Sequence, residues 1–162
     1  MYLIYILRHD LRLADNPIFH ALSSRSANFT HFIPVYVLTP HQIEVSGLSQ
    51  SNISPYPEAR SRVGKFWRCG PHRVKFLSEA IYDLKDTLRG LGSDLLVRVG
   101  PLDSVVDGLL NSEALKGKRG AVWMSRDWAT EEIIEEGKVR QVVQNAKVDW
   151  KVWDAEDTLI HK

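Results

Sequence analysis

The feature that most constrains the fold is an uninterrupted apolar run at the start of the chain, Tyr2 to Leu7. The run is too short for a typical helix, and it is rich in aromatic and β-branched side chains, which favour strands. Because no polar residue alternates with the apolar ones, both faces of this strand must be covered. A strand of this kind belongs in a parallel sheet that carries helices on both sides.

The rest of the chain alternates strand-like runs with helical patterns. Further strands are predicted at 29–38, 94–99, 121–124 and 149–153. Helices are predicted from Pro17, over 74–88, after Gly100-Pro101 and from Thr130. This alternation indicates an α/β fold, a Rossmann-like doubly wound parallel sheet of five strands with helices on both faces and right-handed crossovers.

Three local signals refine these elements. Asp15 is a candidate N-cap for the helix that Pro17 begins, and Thr130 is a candidate N-cap for the last helix. Pro34 lies inside the second apolar run, where proline predicts an edge position, a bulge or a strand that starts near Val35.

Length and charge narrow the class of protein. With 162 residues, 44% of them hydrophobic, we expect a single domain over 1–162, with a long irregular loop at 39–70. The formal charge of +1 argues against strong binding to nucleic acid by the chain alone. No apolar run approaches the roughly 20 residues of a membrane span, so we expect an intracellular protein whose compartment stays open.

Ligands of such sheets bind beyond the carboxyl ends of the strands. Three segments should meet there: 8–16, the stretch from Thr39 onward, and 125–132. Neither a Gly-x-Gly-x-x-Gly turn after the first strand nor a P-loop occurs, which argues against dinucleotide and P-loop chemistry.

Segment 8–16 concentrates polar side chains. Its structural interpretation is that Asp10 and Arg12 form an ion pair that holds the loop. The residues of this motif are Arg8, Asp10, Arg12, Asp15 and Asn16.

Other candidates have two interpretations each. Cys69, the only cysteine, is either a thiolate near His72 or an incidental loop residue. Glu131 and Glu132 point about 100° apart on a helix, so they cannot form a facing acid–base pair, and the helix dipole explains them. Trp128 either stacks on a planar ligand or packs in a core or interface.

Four segments in order resemble the photolyase/cryptochrome family. LRHDLRLADNP at 7–17 resembles the R-x-D-L-R-x-x-D-N opening of photolyases and cryptochromes. FWRCGPHRVKFLSE at 66–79 resembles the G-P-x-R-x-x-F-L segment of the DASH subgroup, and 92–100 and 157–161 resemble DASH cryptochromes in order and spacing.

This resemblance implies the N-terminal α/β antenna domain of a blue-light photoreceptor or DNA photorepair protein. In the family a larger helical domain follows, which holds FAD and the DNA lesion. An antenna chromophore, usually methenyltetrahydrofolate in DASH members, lies between the two domains. Since the sequence stops before the FAD-binding helical domain, we expect neither FAD binding nor catalysis from this chain alone.

The resemblance also implies a folate site. The family's folate-contacting glutamate corresponds to Glu132 by its place after the fourth strand, with Glu131 as the nearest register alternative. A carboxylate there can accept paired N–H bonds from a pterin edge. The residues expected to line the same loop are Arg126, Asp127 and Trp128.

An interaction module is the alternative function. Ile6 and Leu7 stand where the wider family usually has an aromatic pair, so ring stacking from the first strand is absent. A chain that keeps the fold without chromophore would use the face that normally packs on the FAD domain. That face would bind a protein partner or a second copy.

Overall fold

The first apolar run forms the central strand of a parallel sheet. The computed structural model describes residues 1–23, 28–48 and 50–153. In it β1 (Tyr2–Leu7) lies between β2 (His31–Leu38) and β4 (Gly120–Ser125), and all six of its residues are buried. The register pairs Ile4 with Ile33 on one side and with Val122 on the other. Both flanks and both faces of β1 are therefore covered.

The remaining elements complete the predicted architecture. β3 (Leu96–Val99) and β5 (Asp149–Trp153) form the two edges, and the strand order is β3-β2-β1-β4-β5 with every pairing parallel. The helices are α1 (Pro17–Ser23), α2 (Pro71–Gly90), α3 (Leu102–Leu110) and α4 (Thr130–Asn145). The α/β fold with five parallel strands is confirmed.

Alternating side chains of the strands point into two separate hydrophobic cores, one on each face of the sheet. Ile4 and Ile6 face one core, which α3 and α4 cover, whereas Tyr5 and Leu7 face a second core with α1 and α2. Helices thus lie on both faces of the sheet, as predicted. Their arrangement sets the carboxyl ends of β1, β2 and β4 side by side.

Pro34 does not place β2 at an edge. The strand begins at His31, before the proline, and Pro34 pairs in register with Tyr5 of β1. β3 pairs only with Val35 to Leu38, so at Pro34 the sheet has a neighbour on one side alone. A residue without an N–H is tolerated there because the ladder on the other side has not yet begun.

The helix caps differ from those predicted. The cap of α1 is Asn16, whose Oδ1 accepts from the main-chain N–H groups of Ile18 and Phe19 at 3.0 and 3.2 Å. Asp15 instead adopts a φ of 57°, a conformation that aspartate and asparagine tolerate better than most residues. Thr130 is the first residue of α4, after Ala129, and its side chain makes no capping hydrogen bond.

The stretch between β2 and α2 is largely irregular. It contains a 3-10 turn at Ser46–Leu48 and an antiparallel bridge between Arg60 and Trp67. The bridge is extended by the N–H of Arg68, which donates to the carbonyl of Ala59 at 2.9 Å. The predicted motif at 157–161 lies outside the described residues.

Within the described residues, no helix combines the length and the apolar character that a bilayer span requires.

Candidate functional site

The order of the strands creates a crevice at the carboxyl end of β1. The chain passes from β1 to β2 on one side, and β4 lies on the other, so the connections that follow these strands diverge around this point. Such switch points are where open α/β sheets bind ligands. His9 Nε2 lies 2.9 Å from Asp127 Oδ2, and Gln42 Nε2 donates to Glu132 Oε1 at 3.3 Å. The structure thus brings together the three segments singled out from the sequence.

A cleft of about 360 Å³ opens between these segments. This volume lies within the range of small-molecule sites, roughly 300–1,000 Å³. A smaller cavity of about 30 Å³ adjoins it and shares Thr39, Gln42 and Glu132 as walls. The polar side chains that line the cleft include His9, Thr39, Gln42, Arg68, Glu131 and Glu132.

Arg8 joins the end of β1 to the start of α4. Its Nη2 donates to Glu135 Oε2 at 2.5 Å and to the main-chain oxygen of Glu132 at 3.3 Å. The Arg8 side chain is only 8% exposed and that of Glu135 13%. Because a buried guanidinium needs a paired carboxylate, this contact fixes the first turns of α4 at the cleft.

The two adjacent glutamates have different tasks. Both oxygens of Glu131 accept from Arg68 at 2.6 Å, and this guanidinium lowers the pKa of Glu131 below its ordinary value. Glu132 is half-buried, and the only hydrogen bond to its carboxylate from the described residues comes from Gln42. A carboxylate has about four acceptor sites. Glu132 therefore keeps acceptor capacity for a ligand, whereas Glu131 is engaged in holding the 39–70 stretch to α4.

Arg126, Asp127 and Trp128 do not line the cleft. Among the described residues that form its walls, none comes from 126–128. Asp127 bonds His9 and accepts from the N–H of Trp128 at 3.0 Å. Trp128 is 59% exposed, with the guanidinium of Arg126 5.6 Å from the centroid of its ring. The indole is thus exposed beside the loop and is not one of the described walls of the cleft, and its stacking on a planar ligand stays a prediction.

The polar motif after β1 is mainly structural. Arg12 Nε lies 2.9 Å from Asp10 Oδ1, which is the ion pair predicted from the sequence. Asn16 Nδ2 donates to the Tyr5 hydroxyl at 3.1 Å and to Asp10 Oδ2 at 3.4 Å. These bonds fold segment 8–16 back over β1.

Thiolate and metal chemistry find no support among the described residues. Cys69 lines the cleft, but no hydrogen bond joins its thiol to His72. No group of three or more His, Cys, Asp or Glu side chains in the described part of the chain is arranged to hold a metal ion.

Sequence reasoning missed several residues of this site. Thr39 and Gln42 lie in an irregular stretch without periodicity, so no pattern pointed to their individual roles. Glu135 comes one turn after Glu131 on α4, and this helical spacing is the signal that could have placed both near the cleft.

Comparison with known proteins identifies the family. The sequence model described as DNA photolyase matches residues 3–162. The chain belongs to the DNA photolyase family. It has the α/β fold of the N-terminal domain of photolyases and cryptochromes, and its sequence is like those of DASH cryptochromes.

Two fungal relatives are similar over almost the whole chain. A DASH cryptochrome of Neurospora crassa, whose name places it in mitochondria, is 46% identical over 98% of this chain. A DASH cryptochrome of Gibberella zeae is 42% identical over 98% of this chain. These matches cover 22% and 23% of the relatives, so the chain spans about a fifth of their length.

Solved structures agree on the fold. A photolyase from Sulfolobus tokodaii matches with a TM-score of 0.67 and 26% identity, over 100% of this chain and 32% of its own. That protein was solved with two FAD molecules, which were taken to imply a novel light-harvesting cofactor. A Synechocystis cryptochrome matches with a TM-score of 0.74 and 20% identity, over 94% of this chain and 27% of its own, and shows the fold alone. Members of this family thus carry chromophore cofactors.

Proposed function

We propose that the cleft holds an antenna chromophore and that methenyltetrahydrofolate is its first candidate. The observation that carries this proposal is the Glu132 carboxylate, which lines the cleft with acceptor capacity that no described residue beyond Gln42 uses. The pterin ring of a folate presents neighbouring N–H groups on one edge, and a carboxylate can accept two of them. When bound, the folate would absorb light and pass its excitation to a flavin.

The protein's own groups would bind and orient the ring. Arg8 holds the start of α4 in place, which fixes the position of Glu132. Gln42 bonds one oxygen of Glu132 and limits the rotation of the carboxylate. Such a preorganised acceptor loses little freedom on binding, which favours affinity.

The test is retention of chromophore by the purified chain. The chain is mixed with methenyltetrahydrofolate or, separately, with FAD, passed through gel filtration, and its absorption spectrum recorded. We expect folate absorbance to co-elute with the protein and FAD absorbance not to do so.

Two matched variants test whether Glu132 is the carboxylate that binds the pterin edge. Glu132→Gln should weaken folate binding at least about tenfold, because a hydrogen bond to a charged group contributes about 1.5–3 kcal/mol. Glu136→Gln, also on α4, is the control and should retain folate, since Glu136 is not among the described residues that line the cleft. Undiminished binding by Glu132→Gln would contradict the proposal.

A protein contact at the same end of the sheet is the second candidate function. Several large apolar side chains in the segments around the cleft are exposed, which is unusual for a monomer and typical of interaction surfaces. They are Phe66, Trp67, Trp128, Ile133 and Ile134, with exposed fractions from 41% to 65%.

Sedimentation velocity tests whether a second copy covers these side chains. We expect concentration-dependent association that Trp128→Ala with Ile134→Lys abolishes. A chain that stays monomeric at all concentrations would count against self-association through this face.

A further inference from the structure

Two polar atoms beside the cleft are buried without a hydrogen-bond partner. They are Arg8 Nη1 and Thr39 Oγ1, and no group among the described residues bonds either of them. The Arg8 side chain is 8% exposed, and Thr39 is 6% exposed. Buried polar groups are almost always paired in native proteins, because an unpaired one costs free energy. Two such atoms on residues that line the same cavity are candidate partners for one bound group.

The two residues share one small cavity. Arg8 and Thr39 both line the space of about 30 Å³ that adjoins the larger cleft, and Glu132 is a wall of both spaces. A cavity of this size admits one oxygen-sized group. A ring bound in the cleft could place a single substituent there.

The chemistry of the walls selects that substituent. An arginine N–H can only donate, so the incoming atom must be an acceptor. The carboxylate of Glu135 already bonds the guanidinium of Arg8, and Glu132 lines the same cavity, which disfavours a further anion. A neutral carbonyl oxygen satisfies both conditions.

We propose that Arg8 and Thr39 form a donor pair for a ring carbonyl oxygen, next to Glu132, which accepts the neighbouring N–H. The cleft would then recognise a lactam edge, in which an N–H lies beside a C=O. This inference rests on the proposed function and defines which part of the chromophore the site recognises. The 4-oxopterin ring of folates and the isoalloxazine ring of flavins both carry this edge.

Both donors are held in place before a ligand arrives. The main-chain oxygen of Thr39 accepts from the N–H groups of Gln42 and Ile43 at 3.0 and 3.1 Å, which fixes the turn that carries the hydroxyl. Arg8 is fixed by Glu135 through its other terminal nitrogen. The donor pair is therefore built by the fold, as ligand recognition requires.

The test compares two ligands that differ in this lactam edge. Folic acid carries the ring carbonyl beside an N–H, whereas aminopterin carries an amino group in place of the carbonyl oxygen and has no hydrogen on the neighbouring ring nitrogen. Its edge therefore cannot accept from the donor pair, and Thr39→Val separates the contribution of that pair from the contribution of Glu132. Their dissociation constants are measured near neutral pH by fluorescence titration of the 162-residue chain. We expect folic acid to bind about tenfold more tightly than aminopterin.

Thr39→Val is the diagnostic variant, because valine keeps the shape of threonine and lacks the hydroxyl. It should reduce the preference for folic acid by about fivefold, the equivalent of one neutral hydrogen bond. In the absence of ligand it should unfold at the same or a higher temperature, since an unpaired buried hydroxyl has been removed. Thr87→Val, on the exposed side of α2, is the matched control and should leave the preference unchanged.

The outcomes separate this inference from the proposed function. Binding of both pterins with the same preference in the wild type and Thr39→Val would overturn the donor pair, whose atoms would then hold a buried water only, and would leave the proposed function standing. Riboflavin is the third probe. Binding of riboflavin alone, with an affinity that Thr39→Val reduces, would support the donor pair and contradict folate as chromophore. Failure of all three probes to bind would overturn both.

Discussion

Arg8 and Glu135 form the most buried ion pair of the site. Their side chains are 8% and 13% exposed, with 2.5 Å between Nη2 and Oε2. Removing one partner leaves the other charge buried without compensation, which costs about 3–5 kcal/mol. Glu135→Ala should lower the free energy of unfolding in urea by about this amount.

The control for that loss is an exposed pair on α2. Glu79 lies 3.9 Å from Lys75, both side chains are well exposed, and such pairs contribute less than about 0.5 kcal/mol. Glu79→Ala should therefore leave the urea midpoint almost unchanged. Equal losses in the two variants would refute the assignment of the cost to the buried guanidinium.

Glu131 gives the site a pH-dependent contact. Arg68 lowers the pKa of Glu131 below its ordinary value of 4.5. The contact therefore contributes its full stability above pH 4.5 and loses it as the pH falls through the lowered pKa of the folded state. Because the Glu131 side chain is 46% exposed, the contribution should not exceed about 1 kcal/mol.

Urea unfolding of the wild type and of Glu131→Gln over a pH series measures this contribution. The difference between the two proteins should be constant near neutral pH and should vanish well below pH 4.5. A difference that persists unchanged in acid would rule out Glu131 as its source.

Residue roles were predictable where they depend on near neighbours in sequence. The pair between Asp10 and Arg12 spans two residues, so the sequence alone could propose it. Thr39 and Glu132 meet only because β2 and β4 end at the same edge of the sheet, and the irregular stretch after β2 gives no period from which to place a side chain. Their proximity could be expected for the segments but not for the atoms.

At the scale of elements, β4 begins with Gly120, and the Tyr2 ring on the neighbouring strand β1 leaves no space for a side chain there. A Cβ on Gly120 would lie 2.2 Å from ring atoms of Tyr2, its partner on β1. Gly120→Ala should destabilise the chain by about 1–3 kcal/mol, because the buried ring has to move. Thermal unfolding measures the loss.

Gly108 in α3 provides the opposite expectation. A Cβ there meets nothing within 4 Å, so Gly108→Ala adds only helix propensity and should stabilise the chain by about 0.5–1 kcal/mol. The two substitutions are chemically identical and differ only in their surroundings. Shifts of the same sign would contradict the packing assigned to Tyr2.

Strands and helices were predictable because the spacing of their apolar residues is a local pattern in the sequence. Their ends were less predictable because they depend on the elements that pack or pair with them. α2 contains the predicted stretch 74–88, where apolar residues recur at three and four, and it extends beyond this stretch to Pro71 and Gly90. β2 instead starts three residues before Pro34, because β1 pairs with it from His31 to Tyr36. A proline argues against an interior strand only where ladders on both sides are already formed.

At the scale of the molecule, Arg68 holds the 39–70 stretch across the mouth of the cleft. It bonds both oxygens of Glu131 and donates to the carbonyl of His41 at 3.2 Å. Arg68→Gln and Glu131→Gln should each raise the rate of trypsin cleavage after the exposed Lys65 several-fold, because local opening becomes easier.

The proteolysis needs a control that removes a charge elsewhere. Lys75→Gln on α2 lies outside this stretch, and its cleavage rate at Lys65 should equal that of the wild type. If all three variants were cleaved at the same rate as the wild type, the bond between Arg68 and Glu131 would not restrain the stretch.

The central place of β1 has a consequence for the chain during its synthesis. Ile4 leaves the ribosome long before its partner Val122. At about 5–20 residues per second, the edge of β1 that pairs with β4 stays unpaired for on the order of ten seconds. For that period a wholly apolar strand has an open edge, the kind of segment that joins other unfolded chains. The strand that is enclosed on both flanks in the finished protein is thus unpaired at one edge while the nascent chain grows.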